Sequence, residues 1–388
     1  MHTADPNTPV VDETKRRAVV LAYALMFVGA GIYLPYFPLY LGHLGYSGAE
    51  IGLVLGLQPA IRWGSALLFG WAADRWRSRH RLLVIGATLA IVAFVPLLWV
   101  ESLWAMLVVT AGISVLHGPV VPAIDATVMD HLGELGGDYG RLRLWGSLAF
   151  IAGTVLSALA VQIGGAAVVP SLFLLPAAVM PLVLHRLPAG QTETPRAAAP
   201  PWSLLTPPLA AFLGAVFLAH LSSGAWMAFF ALHGERLGLS DWVPGSAWGL
   251  AVLAEVALFQ WGRSLLTVLP AARLVVLSLV VTVIRWALSA VATTAVPLVV
   301  LQMGHAFTFS AFHLAAMVLI VRLVPPESGT SGQALYGITS FGLGGSLGIA
   351  LAGALVGSLG TSGLFAFEAG VAALGLLPAW LLTRLVRD

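Results

Sequence analysis

The sequence predicts an all-α membrane protein, with twelve transmembrane helices arranged as two six-helix bundles. Three observations carry that prediction. The 388-residue chain is 59% hydrophobic and 9% charged, whereas a soluble domain is about a quarter charged, which excludes a water-soluble globule. Apolar runs of about 20 residues recur between short polar or Gly/Pro breaks; lipid admits only structures that satisfy their own backbone hydrogen bonds, so each run reads as a helix. The longest polar interruption, Pro188–Pro201, falls midway and reads as a linker between two halves.

The elements follow in order. Residues 1–16 form a polar leader with no signal-peptide pattern, and the apolar run behind it is too long to be one. The first half, 17–187, holds spans at about Arg17–Leu41, Ala49–Ala73, Leu82–Val100, Leu103–Met129, Arg143–Gln162 and Ala166–Leu184. Pro35 and Pro38 bend the first of these. A linker at 188–204 leads to the second half, 205–388, with spans at about Leu205–His233, Trp242–Leu265, Ala271–Thr293, Val296–Leu323, Leu335–Leu359 and Thr361–Leu385. The eleventh span is glycine-rich from Gly337 through Gly353, a composition suited to close helix contact.

Basic residues set the expected orientation. Lys15, Arg16, Arg17 and the cluster Arg75, Arg77, Arg79 and Arg81 fall on the side of the N-terminus, as do the later loop arginines; opposite them only Arg236 is basic. The positive-inside rule then puts both termini and the linker in the cytoplasm, with the chain in the cytoplasmic membrane. The net charge of +2 gives no footing for nucleic acid. With no Cys, disulfides, thiolate metal sites and cysteine nucleophiles are excluded. No metal-ligand spacing or nucleophile pair points to an enzyme.

Arg62, Arg143 and Arg285 fall inside spans, as do Asp125, Glu255 and Glu368. A charge there costs about 2.5–3.5 kcal/mol on insertion scales, and a buried ion pair seldom outperforms apolar packing. These groups are therefore candidates for a solute site facing a cavity between the halves, against the alternative that they only select helix partners. Asp125 and Arg143 are expected to meet across the turn at 130–140, and Glu255 to meet Arg285 with His305 nearby. Ser147 and Phe150 follow Arg143 on its own face. Gln58 and Arg62 stand one turn apart. Arg62 is left without an obvious anion, and either receives a solute carboxylate, pairs with Glu368 or snorkels. Tyr33, Trp145, Phe150 and Trp226 are candidate ring contacts.

Several motifs carry a resemblance. Gly70-x-x-x-Asp74-Arg75 resembles the cytoplasmic loop motif of the major facilitator superfamily, although Arg77 stands where that motif has a glycine. Gly31-x-Tyr33-x-Pro35-x-Phe37-Pro38, together with Asp125, Arg143, Glu255, Arg285 and His305, is similar to the proton-coupled branch containing the lactose permease. The runs Tyr139–Ser147 and Gln302–His313 resemble the phenylpropionate permease group. The resemblance covers essentially the whole chain and implies the major facilitator fold and alternating access. It implies substrate binding by Asp125 and Arg143; Tyr33, Gln58, Arg62, Ser147, Phe150, Trp226 and His305 are expected in the same site from their placement. Proton coupling falls to Glu255, Arg285, His305 and Asp125, and gating to Gly70, Asp74, Arg75 and Arg79. Where the lactose permease carries its helix 10 glutamate this chain has Thr308, which leaves Glu255 as the expected proton carrier and Asp125 as second choice.

The expected function is proton-coupled import of a small organic solute, an aromatic or other carboxylate, by a monomer in contact with lipid, with no cofactor or metal beyond the proton gradient. Sugar or nucleoside symport and efflux of hydrophobic compounds are the alternatives within transport. A non-transporting sensor or a membrane-embedded enzyme is the reading from another class.

Overall fold

The computed structural model describes residues 12–76, 79–188 and 201–386. They form helices α1 (Glu13–His43), α2 (Gly48–Trp76), α3 (Arg79–Phe94), α4 (Leu103–His117), α5 (Val120–Asp130), α6 (Tyr139–Gly164), α7 (Val169–Leu184), α8 (Pro207–Leu221), α9 (Phe230–Arg236), α10 (Trp242–Val268), α11 (Ala271–Val291), α12 (Ala295–Leu301), α13 (Phe312–Leu323), α14 (Gly329–Gly337) and α15 (Ser346–Leu385). Eleven segments among the described residues are long and apolar enough to cross a membrane, and the last runs for 55 residues, Ser331–Leu385. At about 1.5 Å per residue that is far longer than a bilayer core. Gly360, at φ 67° and ψ 173°, breaks it in two, so the crossings number twelve.

Local chemistry fixes the ends. Asp12 accepts the Thr14 and Lys15 amides and starts α1 at Glu13, so the helix begins earlier than the expected leader boundary at 16. Asp138 and Ser102 cap α6 and α4 in the same way. The expected fourth span is not one helix: Gly118 and Pro119 divide it into α4 and α5, because proline supplies no amide to the preceding turn. The α1 helix runs unbroken through Pro35 and Pro38. Three π-helical turns, Ala225–Phe229, Ala306–Ala311 and Ile338–Gly345, interrupt the later spans. Most of the expected linker, 189–200, lies outside the described residues.

Buried side chains form three cores. One draws only on residues between Ala18 and Leu187, and a second only on residues between Leu204 and Leu382; both sit toward the end where α1 begins. The third joins both halves and sits at the far end, where α1 finishes. The halves therefore share a core at the far end and keep separate cores at the terminal end.

Glycines make the far seam tight. A Cβ on Gly52 would fall 2.6 Å from the Gly353 Cα, and one on Gly56 would fall 2.9 Å from the Ser346 carbonyl oxygen. These contacts lay α2 directly on α15, backbone to backbone, the small-residue packing that membranes favour. Trp242 Nε1 donates to Gln162 Oε1 at 3.2 Å across the same end. Toward the terminal end the seam reaches Trp63, whose ring fills the hollow at Gly337 and stacks on Phe341 at 6.1 Å. Nearer the termini, two ion pairs brace the first half: Lys15 with Glu134 at 2.8 Å, and Arg79 with Asp130 at 2.8 Å.

Candidate functional site

The second half supplies a connected polar network. Arg285 on α11 is 2% exposed. Its Nε and Nη2 donate to Gln302 Oε1 at 2.9 and 2.6 Å, and its Nη1 donates to Thr308 Oγ1 at 2.7 Å. The guanidinium also lies 4.7 Å from the Trp226 ring and 4.2 Å from the Trp286 ring, contacts that favour a desolvated cation. Arg285 Nη1 lies 3.3 Å from His305 Nδ1. An arginine only donates, so Nδ1 accepts and the imidazole proton sits on Nε2. That nitrogen faces Glu255 Oε2 at 3.8 Å.

The expected Glu255–Arg285 pair is thus replaced by a relay in which His305 stands between them. Gln302 and Thr308 take the guanidinium because both share the His305 face of that span. Among the described residues no carboxylate lies within ion-pair distance of Arg285. Arg143 on α6 of the first half is the basic group of that half that bears on Glu255.

In the first half, Asp125 and Arg143 do not form the expected ion pair. Tyr23 stands between them: its hydroxyl donates to Asp125 Oδ1 at 2.5 Å, and its ring lies 5.5 Å from the Arg143 guanidinium. Tyr139 adds a second donor to Asp125 at 3.1 Å. Phe27 lies 4.0 Å below Arg143. Two hydroxyls therefore satisfy the carboxylate, and two aromatic faces hold the arginine while leaving it free to act on Glu255.

Arg62 lies against Gly118, where a Cβ would fall 2.7 Å from its Cγ, and it acts on Tyr33 and His117. Those neighbours come from α1 and α4, so the guanidinium faces the interior of the first half. It is exposed there, and among the described residues it makes no hydrogen bond or ion pair. The expected alternative of a pair with Glu368 is overturned, since Glu368 accepts the Ala225 amide at 2.5 Å on the other side of the molecule. The Tyr33 hydroxyl donates to Gln58 Oε1, and its ring stacks on Phe37 at 4.5 Å and lies 5.4 Å from Phe173.

Phe150 and Trp226 are brought to the site but are buried. Phe150 is 5% exposed and lies 6.0 Å from Trp248; Trp248 in turn stacks on Trp226 at 4.4 Å, itself 2% exposed. They form a ceiling spanning both halves at the far side of the charges. Ser147 is half-buried on α6, whereas Trp145 is exposed and makes no ring contact among the described residues. His220, His233 and His313 are engaged by Val216 O, Thr361 Oγ1 and Tyr336 Oη respectively. A crevice of about 440 Å³ at the far end, lined by His43, Glu235, Arg236 and Asp241, holds none of the intramembrane charges.

Of the gating residues, Arg79 is paired with Asp130 on α5, Arg75 is exposed, and a Cβ on Gly70 would meet nothing. The Asp74 side chain and residues 77–78 lie outside the described residues. Sequence reasoning missed Tyr23 and Trp248. Trp248 had a signal, because it precedes Glu255 by two helical turns on one face; Tyr23 had none.

Known proteins agree with this architecture. Residues 18–367 match the MFS_1 like family. The chain is 31% identical over 350 residues to the "Probable 3-phenylpropionic acid transporter" of Escherichia coli (strain K12), covering 86% of this chain and 88% of the relative. It is 29% identical over 331 residues to the maltose permease of Geobacillus stearothermophilus, covering 84% and 83%. Its fold matches the crystal structure of a mutant of the nucleoside transporter NupG with a TM-score of 0.85, at 18% identity, over 95% of this chain and 99% of that one. The twelve crossings among the described residues and the family match over nearly the whole chain lead to one assignment: it belongs to the MFS_1 like family and is a major facilitator superfamily transporter, not an enzyme.

Proposed function

We propose that the chain imports a small aromatic carboxylate together with a proton, as a monomer in the cytoplasmic membrane with both termini in the cytoplasm. The observation that carries this reading is Arg62, an intramembrane guanidinium that is exposed and unpaired among the described residues. An arginine kept there without a resident anion suits a ligand that brings one. The rings of Tyr33, Phe37 and Phe173 beside it suit an aromatic body. The relative at 31% identity is described as a 3-phenylpropionic acid transporter.

Coupling follows from Arg143 and Glu255. While Glu255 is ionised, the two attract between the halves. Protonation of Glu255 cancels that attraction while the solute carboxylate meets Arg62, so proton and solute favour the same conformer. His305 keeps its Nε2–H turned toward Glu255 and so ties the charge of Glu255 to Arg285. Asp125, already satisfied by two tyrosines, has a supporting part. In the conformer described here the far end is shut, which in the proposed orientation leaves the site facing the cytoplasm.

The experiment is uptake of labelled 3-phenylpropionate into proteoliposomes under an imposed proton gradient. Concentrative uptake that a protonophore collapses is expected. Maltose or nucleoside uptake without 3-phenylpropionate uptake would reject the carboxylate reading.

A further inference from the structure

Glu368 lies away from the solute path, 2% exposed on α15, yet it reaches the site through a backbone amide. Its carboxylate accepts the Ala225 N–H, Oε1 at 2.5 Å. The α8 helix has ended at Leu221, and the π-helical turn begins at Ala225. Around this break the amides of Ser222, Ser223 and Met227 find backbone carbonyls, while that of Ala225 goes to the carboxylate. Gly224 also packs directly on α15, where a Cβ would fall 2.2 Å from the Gly348 carbonyl oxygen. The residue after the break is Trp226, the ring beneath Arg285. The second oxygen, Oε2, has no partner among the described residues, a burial that lowers stability and argues for a task other than packing.

We propose that Glu368 is a positioning residue of the transport site. By holding the Ala225 amide it fixes the restart of the helix, so that Trp226 lies under Arg285 and Arg285 keeps its aim at Gln302, Thr308 and His305. This rests on the reading of Arg285, His305 and Glu255 as the transport site, and it adds a residue from a helix that contributes no group to the solute path.

The test uses the full chain in detergent and in proteoliposomes, with two readouts: hydrogen–deuterium exchange across residues 222–229, and the KM and maximal rate of 3-phenylpropionate uptake. Glu368→Gln keeps an acceptor oxygen and is expected to retain slow exchange and a KM within about threefold of the parent. Glu368→Leu leaves the Ala225 amide without a partner; exchange speeds up in that segment and KM rises about tenfold, with the maximal rate largely kept. Trp226→Ala raises KM by the same factor, and the double variant Glu368→Leu/Trp226→Ala raises it no further. Unchanged exchange in Glu368→Leu overturns the proposal. So does a Gln variant as damaging as Leu, or a double variant whose loss is the product of the two singles. If the parent chain takes up no 3-phenylpropionate, the carboxylate reading fails on its own, and the exchange readout still decides the role of Glu368.

Discussion

Tyr36 clasps the first turn of the helix opposite: its hydroxyl accepts the Gly245 N–H at 3.1 Å while donating to the Asp241 carbonyl at 2.9 Å. One side chain of the first half thus satisfies two backbone groups of the second. Tyr36→Phe leaves the Gly245 amide buried without a partner, at a cost of about 1–3 kcal/mol, and is expected to move the far end toward opening by about tenfold. The chain has no native cysteine, so spin labels on cysteines introduced at Glu101 and Ser240 report the far-end distance cleanly. An unchanged distance distribution would count against the clasp.

Gly353 tests the seam itself. A Cβ there would fall 2.5 Å from the Gly52 Cα, backbone against backbone, with no flexible side chain to yield. Gly353→Val is expected to hold the far end apart and stop uptake while the protein stays folded. Gly357→Val is the control, since a Cβ at Gly357 meets nothing within 4 Å, and it should transport normally. Equal loss in both variants would assign the effect to misfolding.

Glu255→Gln keeps the shape of the site and removes the titrating group. Uphill accumulation should vanish while solute counterflow, which needs no net proton movement, survives. Uphill uptake by the Gln variant would dismiss Glu255 as the carrier.

Arg62 has no partner among the described residues to orphan, so Arg62→Gln should fold as the parent does. A charge-assisted hydrogen bond is worth about 1.5–3 kcal/mol, so 3-phenylpropionate affinity should fall about tenfold or more, while the neutral amide analogue is affected little. Arg62→Lys should recover only part of the loss, because an ammonium lacks the planar fork that meets a carboxylate. Equal loss for acid and amide would place the carboxylate elsewhere.

Apolar periodicity and length reveal the spans, because lipid imposes the same demand on every crossing. Even the junction at Gly360 was legible, the expected spans ending at Leu359 and starting again at Thr361. Partners across helices were another matter. The sequence placed Asp125 near Arg143 and Glu255 near Arg285, yet Tyr23 and His305 stand between them, and helical spacing on one strand of chain says nothing about which rings a neighbouring helix inserts. Glu368 looked like an anion for Arg62 on charge count alone. Its partner is the Ala225 backbone amide, and backbone donors carry no sequence signature. The division of the fourth span was missed, although Gly118-Pro119 carries its signal, while the π-helical turns left no mark in composition.

Those π-helical turns all fall in the second half, at 225–229, 306–311 and 338–345, and among the described residues the first half has none. Each such turn holds one surplus residue that a helix absorbs or expels by local rewinding. The two halves are therefore unequal: the slack such turns offer lies in the second, beside Arg285, His305 and the Trp63 socket, and none of it in the described residues of the first.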